Sequence, residues 1–341
     1  MWQNVLDSVD DSAKQVDVDG VYKSCTLQEI AKAGGIYNSD KGLLDAVEKM
    51  TEASKYCLST GFNMWCQSTL SWYTSRIDNE QFKQLHKDIS SGEILGGTGL
   101  SNPFKTFSGL AEIKINGEKV DGGYKITGKL PWVSNVDYNH YLAIIFKNCS
   151  GTHTMALVKC DKDNTVITQP NNFIALEGTA TVAVEFNDTF IDDNNVLTHE
   201  FEGFAPNIRS GFVILQCGMG LGILERVKQI IIDESKNPEN AVLQIQEKDI
   251  QSWIDDITTR IKQNVDKSVN ATTDDSEFWN DVLQLRRDLS NYTLNALQAG
   301  MLHSGAKGYL KNSLAERTLR EGYFVATITP SLKQLELMLS K

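Results

Sequence analysis

Hydrophobic and polar positions divide the chain into three zones. From residue 1 to about 92 the pattern is helical. Asn38-Ser-Asp40 offers N-cap chemistry, and Leu43, Val47 and Met50 then recur on one helix face. Cys57, Phe62, Met64 and Trp65 follow, Asn79-Glu-Gln-Phe-Lys-Gln-Leu85 opens another helical stretch, and Ser90-Ser-Gly92 breaks it.

From about 93 to 204 the period falls to two. Ala111, Ile113 and Ile115 alternate with Glu112 and Lys114. Turn residues Asp121-Gly-Gly123 follow, and then Tyr124 and Ile126 alternate with Lys125 and Thr127. Together these predict a hairpin. Tyr141 to Phe146 and Met155 to Val158 read as buried strands, and Val182, Val184 and Phe186 give another alternation.

From about 205 to 341 the helical period returns in three stripes. The first is Ile223, Leu224, Val227, Ile230 and Ile231. The second is Ile250, Trp253, Ile254, Ile257 and Ile261, and the third is Val282, Leu285, Leu289, Tyr292 and Ala296. Helices with one apolar face and polar outer faces pack as a bundle. Ser235 to Asn240 and Ser268 to Asp275 read as the loops between them. The order helices, strands, helices predicts an α+β chain: an N-terminal helical domain (1–92), a middle β-barrel-like domain (93–204) and a C-terminal four-helix-type bundle (205–341).

Composition narrows the function classes. The chain has 341 residues, 41% hydrophobic and 23% charged, which is ordinary globular composition. Its 33 basic and 44 acidic residues give a net charge of −11, the wrong sign for a protein that grips phosphate backbones. The 6 cysteines form no CxxC pair, and the 5 histidines form no HxxxH and stand beside no cysteine at ligand spacing, so buried reduced thiols and no metal site are expected. Met1-Trp-Gln-Asn-Val-Leu6 lacks a basic region ahead of an apolar core, and the apolar run Gly211 to Leu224 is interrupted by Gln216 and is short for a bilayer span. A cytoplasmic protein without membrane insertion is the expectation.

Three segments carry candidate chemistry. Cys217-Gly-Met-Gly-Leu-Gly222 precedes a helix, but a dinucleotide fingerprint needs a βαβ setting that is missing here, and small residues for close helix packing explain it better. Gly96-Gly-Thr-Gly-Leu-Ser-Asn-Pro103 reads as a loop. It is either a turn cluster, or a place where bared amides and the hydroxyls of Thr98 and Ser101 hold an anionic or heteroaromatic ligand. Trp132 with Ser134 is either core packing or a stacking surface with a hydroxyl beside it, and core packing is the commoner use.

Taken in order, these segments resemble the acyl-CoA dehydrogenase family. Gly92-Glu, then Thr98-Gly-Leu-Ser-Asn-Pro103, then Asp121-Gly-Gly-Tyr-Lys-Ile-Thr-Gly-Lys129 and Trp132-Val-Ser-Asn135 follow that family's middle-domain pattern. Gly305-Ala-Lys-Gly-Tyr309, Glu316-Arg317 and Arg320-Glu321 follow its C-terminal "GGxGy…eRllRD" at the same spacing. The resemblance covers nearly the whole chain. It implies FAD between the β domain and the last bundle, with Trp132 and Ser134 near the reactive nitrogen and Thr98 at the pyrimidine side; Ser101, from the loop's hydroxyls, joins them as a cofactor-binding candidate. It further implies a homodimer or homotetramer, an acyl-CoA or related thioester as substrate, and electron-transfer flavoprotein or oxygen as acceptor.

Departures are equally specific. The family's Glu-Pro after Thr98 is Gly99-Leu100, and its Gly-Ser-Asp falls at Phe104-Lys-Thr106, placing Lys105 near the thioester-side serine. The arginine segment that grips the FAD pyrophosphate is replaced by Ser235-Lys-Asn-Pro-Glu-Asn-Ala241, where Lys236 is the one cation, and Leu302 stands for a glutamine. Thr329 occupies the position of the usual catalytic glutamate, and a threonine is no general base at ordinary pH. The alternative base helix, Asn207 to Ile214, has no acid, leaving Glu202 as the nearest carboxylate upstream. Dehydrogenation of a thioester, a flavin monooxygenase or oxidase on the same fold, and a catalytically reduced binding or assembly protein are the readings this leaves.

Overall fold

The structure is a computed structural model that describes residues 1–107, 109, 111–169 and 172–340, with the side chains of Asn102 and Phe107 outside the description. Five helices come first: α1 (Trp2–Asp19), α2 (Ser24–Lys32), α3 (Gly42–Tyr56), α4 (Leu58–Thr74) and α5 (Glu80–Ser91). Asn79 caps α5 by accepting from the Phe82 N–H at 2.8 Å, and Gly92 ends it in the left-handed region. The expected cap at Asn38-Ser-Asp40 is not formed. Asn38 turns its side chain back onto the Asp40 N–H, and α3 starts later with no side-chain cap.

The middle of the chain supplies β1 (Gly96–Thr98), α6 (Ser101–Phe107), β2 (Ile115–Val120), β3 (Gly123–Val133), β4 (Tyr141–Asn148), β5 (His153–Lys159), β6 (Thr165–Thr168), β7 (Val182–Asp192) and β8 (Val196–Thr198). They form one 8-stranded sheet in the order β6-β7-β3-β2-β4-β5-β8, with β1 parallel to β4. β5 and β7 are far apart in that order yet approach each other, so the sheet wraps around its own core of Ile126, Leu130, Leu142, Ile144, Phe146, Val158, Val184 and Phe186. The hairpin forms as predicted, but its first strand starts at Ile115. Residues 111–114 run irregularly, because only Ile115 onward finds partners on β3.

Then come α7 (Phe201–Glu234), α8 (Glu247–Asn270), α9 (Ser276–Gly308), α10 (Leu314–Thr327) and α11 (Leu332–Leu339). α7 begins ahead of the boundary read at 205, and α8 continues through Ser268, which is buried, rather than ending in a loop there. The stripes are as expected: Ile250, Ile254, Ile257 and Ile261 are buried, and Trp253 stacks on Tyr292 at 5.0 Å between centroids. α7 is long and apolar enough to cross a membrane by length and composition, but 89% of that window is buried inside the molecule, which makes it the central core helix.

Its glycines explain the motif at 217–222. A Cβ on Gly218 would lie 2.8 Å from the Met50 Cβ, and one on Gly222 2.5 Å from the Ser54 Cβ. They let α7 lie tightly on α3, so helices from both ends of the sequence share one hydrophobic core. Cys57, Cys66, Cys160 and Cys217 are buried, whereas Cys25 and Cys149 are exposed, contrary to the expectation for all of them.

Candidate functional site

Gln67 on α4 organises the entry to the site. Its amide nitrogen donates to the carbonyls of Ile89 at 2.8 Å and Ile94 at 2.7 Å, and its oxygen accepts from the Gly96 N–H at 2.9 Å. Asn135, held at a φ of 59°, donates to the Gly96 carbonyl at 2.6 Å and to the Gln67 oxygen at 3.3 Å. Tyr22 donates to the Asn135 side-chain oxygen Oδ1 at 2.5 Å. The segment carrying Thr98 and the one carrying Trp132 and Ser134 are thereby tied to each other and to the helical core.

This changes the reading of the Gly96 segment. It is a strand followed by a helix, and its glycine amides are spent: Gly96 on Gln67, Gly99 on the Ala143 carbonyl at 2.8 Å. Glycine is needed at 96 because a Cβ would sit 1.9 Å from the Tyr141 carbonyl oxygen. The hydroxyls are what the segment offers a ligand, with Thr98 paired to Tyr73 at 3.1 Å. The resemblance at Asn102 falls on a side chain outside the description.

A cavity of about 550 Å³ lies where the sheet, α4, α6 and the turn after α10 meet. Thr98, Ser101, Trp132, Ser134 and Thr329, the residues singled out in the sequence, all line it. Phe62 and Trp65 give it an aromatic wall, stacked at 5.5 Å, with Phe324 against Phe62 at 4.6 Å. Trp132 is 65% exposed, so it is a rim residue rather than core. The pleat of β3 buries Leu130 and Val133 instead and turns the indole outward.

Sequence reading missed Thr179 and Thr181, which line the cavity and bond to Ser134 through Thr181. Thr179 ends a short helical turn ahead of β7 and Thr181 follows it, and nothing in their local spacing marks them. It also missed the support of Thr329. Gln216 of α7 donates to the Thr329 carbonyl at 2.8 Å, and its oxygen accepts from the fully buried Arg286 of α9 at 3.0 Å.

The site's ionisable groups are few. Burial pushes the Cys66 thiol far above its ordinary range, so it lines the cavity as a neutral thiol. Lys105 and Lys114 are the lining cations, and among the described lining residues there is no carboxylate. Glu202 is elsewhere, on the surface, paired to His153 at 2.5 Å. Lys236 is exposed in the turn after α7, and Leu302 is exposed on α9, both outside the cavity lining. Arg317 and Glu321 of the C-terminal motif are structural. Glu321, buried, pairs with Arg226 at 2.6 Å, while Arg317 donates to the Tyr56 carbonyl at 3.0 Å, locking α10 onto the α3–α4 corner.

An aromatic wall, an indole at the rim and a row of hydroxyls suit a planar heteroaromatic ligand with polar edges. No model of a known family matches the chain. It is 24% identical over 275 residues to the 2-methylacyl-CoA dehydrogenase, mitochondrial, of Solanum tuberosum, a match spanning 75% of this chain and 65% of that protein. It is 29% identical over 128 residues to the isovaleryl-CoA dehydrogenase, mitochondrial, of Oryza sativa subsp. japonica, spanning 36% of this chain and 31% of the relative. The matches thus span less than two thirds of either relative's length. Among solved structures, butyryl-CoA dehydrogenase from Megasphaera elsdenii superposes with a TM-score of 0.83 at 17% identity, covering 99% of this chain and 96% of the other. PigA, solved with FAD and proline, superposes with a TM-score of 0.81 at 13% identity, covering 99% and 96%.

Proposed function

We propose that this chain, which has the acyl-CoA dehydrogenase fold and sequence relatives among the acyl-CoA dehydrogenases, is a flavin-dependent oxidoreductase of an acyl thioester. The observation that carries the reading is the convergence of Thr98, Ser101, Trp132 and Ser134 on one aromatic-walled cavity from separate strands and helices. The residues fit an isoalloxazine: hydroxyls for its polar edge, an indole for its face, and a volume within the range of ligand sites. A bound flavin would accept the hydride, and the protein's part is to hold the ring and the thioester together and keep water out.

FAD is the proposed form of the cofactor. Electron-transfer flavoprotein or oxygen is the proposed acceptor, and a homodimer or homotetramer the proposed assembly. The test is the visible spectrum of the purified protein, before and after incubation with FAD. A flavin band approaching one per chain supports the reading; a protein colourless under both conditions overturns it.

A second reading rests on the lack of a carboxylate among the described lining residues, with Thr329 in the position where the family's base is expected. Dehydrogenation beside a thioester needs a group to take the α-proton. A flavin oxidase or monooxygenase draws its oxidising power from oxygen instead, and its sign would be flavin reduction that needs no thioester. A binding or assembly protein would retain no flavin at all.

A further inference from the structure

One stretch of the cavity wall is held by side chains rather than by backbone pairing. Phe173, Ala175 and Leu176 line the cavity, and Phe173 and Ile174 stay exposed beside it. Among the described residues the backbone of residues 173–175 is held by two hydrogen bonds, both to charged groups. The Phe173 N–H donates to the Glu177 carboxylate, and the Ile174 carbonyl accepts from Arg320 at 3.1 Å. The turn that follows is fixed. The Gly178 carbonyl accepts from Asn63 of α4 at 3.2 Å, and the Thr179 carbonyl from the Asn135 N–H at 2.9 Å. α1 packs against it so closely that a Cβ on Gly178 would lie 2.5 Å from Val16 Cγ1. Leu176 joins the two parts at a φ of 65°, in the left-handed region that a leucine seldom enters. A segment with few backbone bonds, ending at a strained residue beside a fixed turn, is one that opens locally.

Arg320 of α10 keeps it shut. Its five N–H groups find five acceptors: Asp17 Oδ1 at 2.9 Å and Oδ2 at 2.6 Å, Glu316 Oε1 at 2.5 Å and Oε2 at 3.0 Å, and the Ile174 carbonyl at 3.1 Å. The four bonds to carboxylates fix the plane of the guanidinium, and the fifth N–H is thereby aimed at Ile174. We infer that residues 173–176 form a gate over the cavity, hinged at Leu176 and latched by Arg320 and Glu177. Arg320 lies outside the cavity lining and acts on it through Ile174, so it is a positioning residue that governs entry to the site. The gate serves the cavity whatever molecule occupies it, and so stands apart from the flavin reading.

Cys66 reports on the gate. It is 1% exposed, lines the cavity and stands three residues on from Asn63 on the same face of α4, whereas Cys160 and Cys217 are buried outside the lining. The test is the rate at which N-ethylmaleimide labels each cysteine in wild type, R320M and E177A, read by peptide mass spectrometry. R320M removes the bond to Ile174 together with the ion pairs. E177A removes the bond to Phe173, leaves the ion pairs of Arg320 intact and keeps the Cβ on which Gly20 packs. Both variants should label Cys66 about tenfold faster, the worth of a hydrogen bond to a charged group, with Cys160 and Cys217 at wild-type rates. An unchanged Cys66 rate in R320M overturns the gate. So does an unchanged rate in E177A alone, since Arg320 would then only staple α1 to α10. Acceleration of all three cysteines together also overturns it, because it reports general loosening. Should R320M fail to fold, E177A alone decides.

Discussion

Gln216 joins the buried Arg286 to the cavity turn: it accepts from the arginine at 3.0 Å and donates to the carbonyl of Thr329 at 2.8 Å. Among the described residues Arg286 has no carboxylate partner; it is held by neutral acceptors, Gln216, Ser290 and the Val325 carbonyl. Burial accordingly lowers its pKa to about 10. The arginine has to be there for Gln216 to hold its orientation. The R286M variant leaves these acceptors unpaired, and a loss of about 3 kcal/mol in urea unfolding is expected, at about 1–3 kcal/mol per orphaned group with partial relaxation. A loss below about 1 kcal/mol would show that the turn holds without it.

Trp132 gives the opposite expectation. Because it is 65% exposed, W132A should leave the unfolding midpoint within about 0.5 kcal/mol of wild type. Flavin retention should nevertheless fall about tenfold, equivalent to about 1.4 kcal/mol, as the stacking face is lost. Equal flavin content after dialysis in variant and wild type would remove Trp132 from the site.

Thr329 is 7% exposed and lines the cavity, so a carboxylate placed there faces the ligand space. In flavin-loaded protein, T329E should speed anaerobic bleaching of the flavin by butyryl-CoA on the order of 100-fold, the usual contribution of a positioned base. Bleaching no faster than wild type would argue that the thioester does not reach this turn.

Glu321 and Arg226 are both buried and 2.6 Å apart, and the arginine also holds the Ser54 and Lys55 carbonyls at 2.7 Å each. Removing the negative partner strands the cation. E321Q should cost about 3 kcal/mol by chemical denaturation, and the cavity should loosen with it because α10 carries Phe324 and Thr327. A cost under about 1 kcal/mol would mean that the backbone carbonyls alone hold Arg226.

His86 supplies the pH dependence. Its Nε2 accepts from the Ser39 N–H at 3.2 Å, so the ring proton sits on Nδ1 and donates to the Ser71 carbonyl at 3.1 Å. Burial lowers its pKa below 6.5, with the Ser71 bond and Asp40 opposing in part. A group whose folded pKa is depressed stabilises the fold above its unfolded pKa, and loses that contribution as pH falls through the folded one. Wild type should therefore lose more stability than H86Q between pH 7.5 and pH 5 in urea titrations, with the loss beginning near 6.5. Parallel losses in both proteins would assign the acid sensitivity elsewhere.

Much of this was present in the chain's own order of residues. Ile250, Ile254, Ile257 and Ile261 mark α8, and Asn79 marks the start of α5, because periodicity and capping are local and act before any tertiary contact exists. Trp132, Ser134, Thr98 and Ser101 stand out by residue type in their segments, and Thr329 through the family resemblance. The helix at Ser101 and the true start of β2 were not, since a strand exists only where a partner meets it. What the tertiary structure alone decided is how these residues meet. Leucine and valine on the buried side of β3 turn Trp132 to the rim. Gln67 and Asn135 fasten two distant segments together. Asp17 holds Arg320 so that one N–H meets the carbonyl of Ile174. Each depends on groups far apart in sequence, whose pairing is chosen by burial and by the cost of leaving any polar atom without a partner.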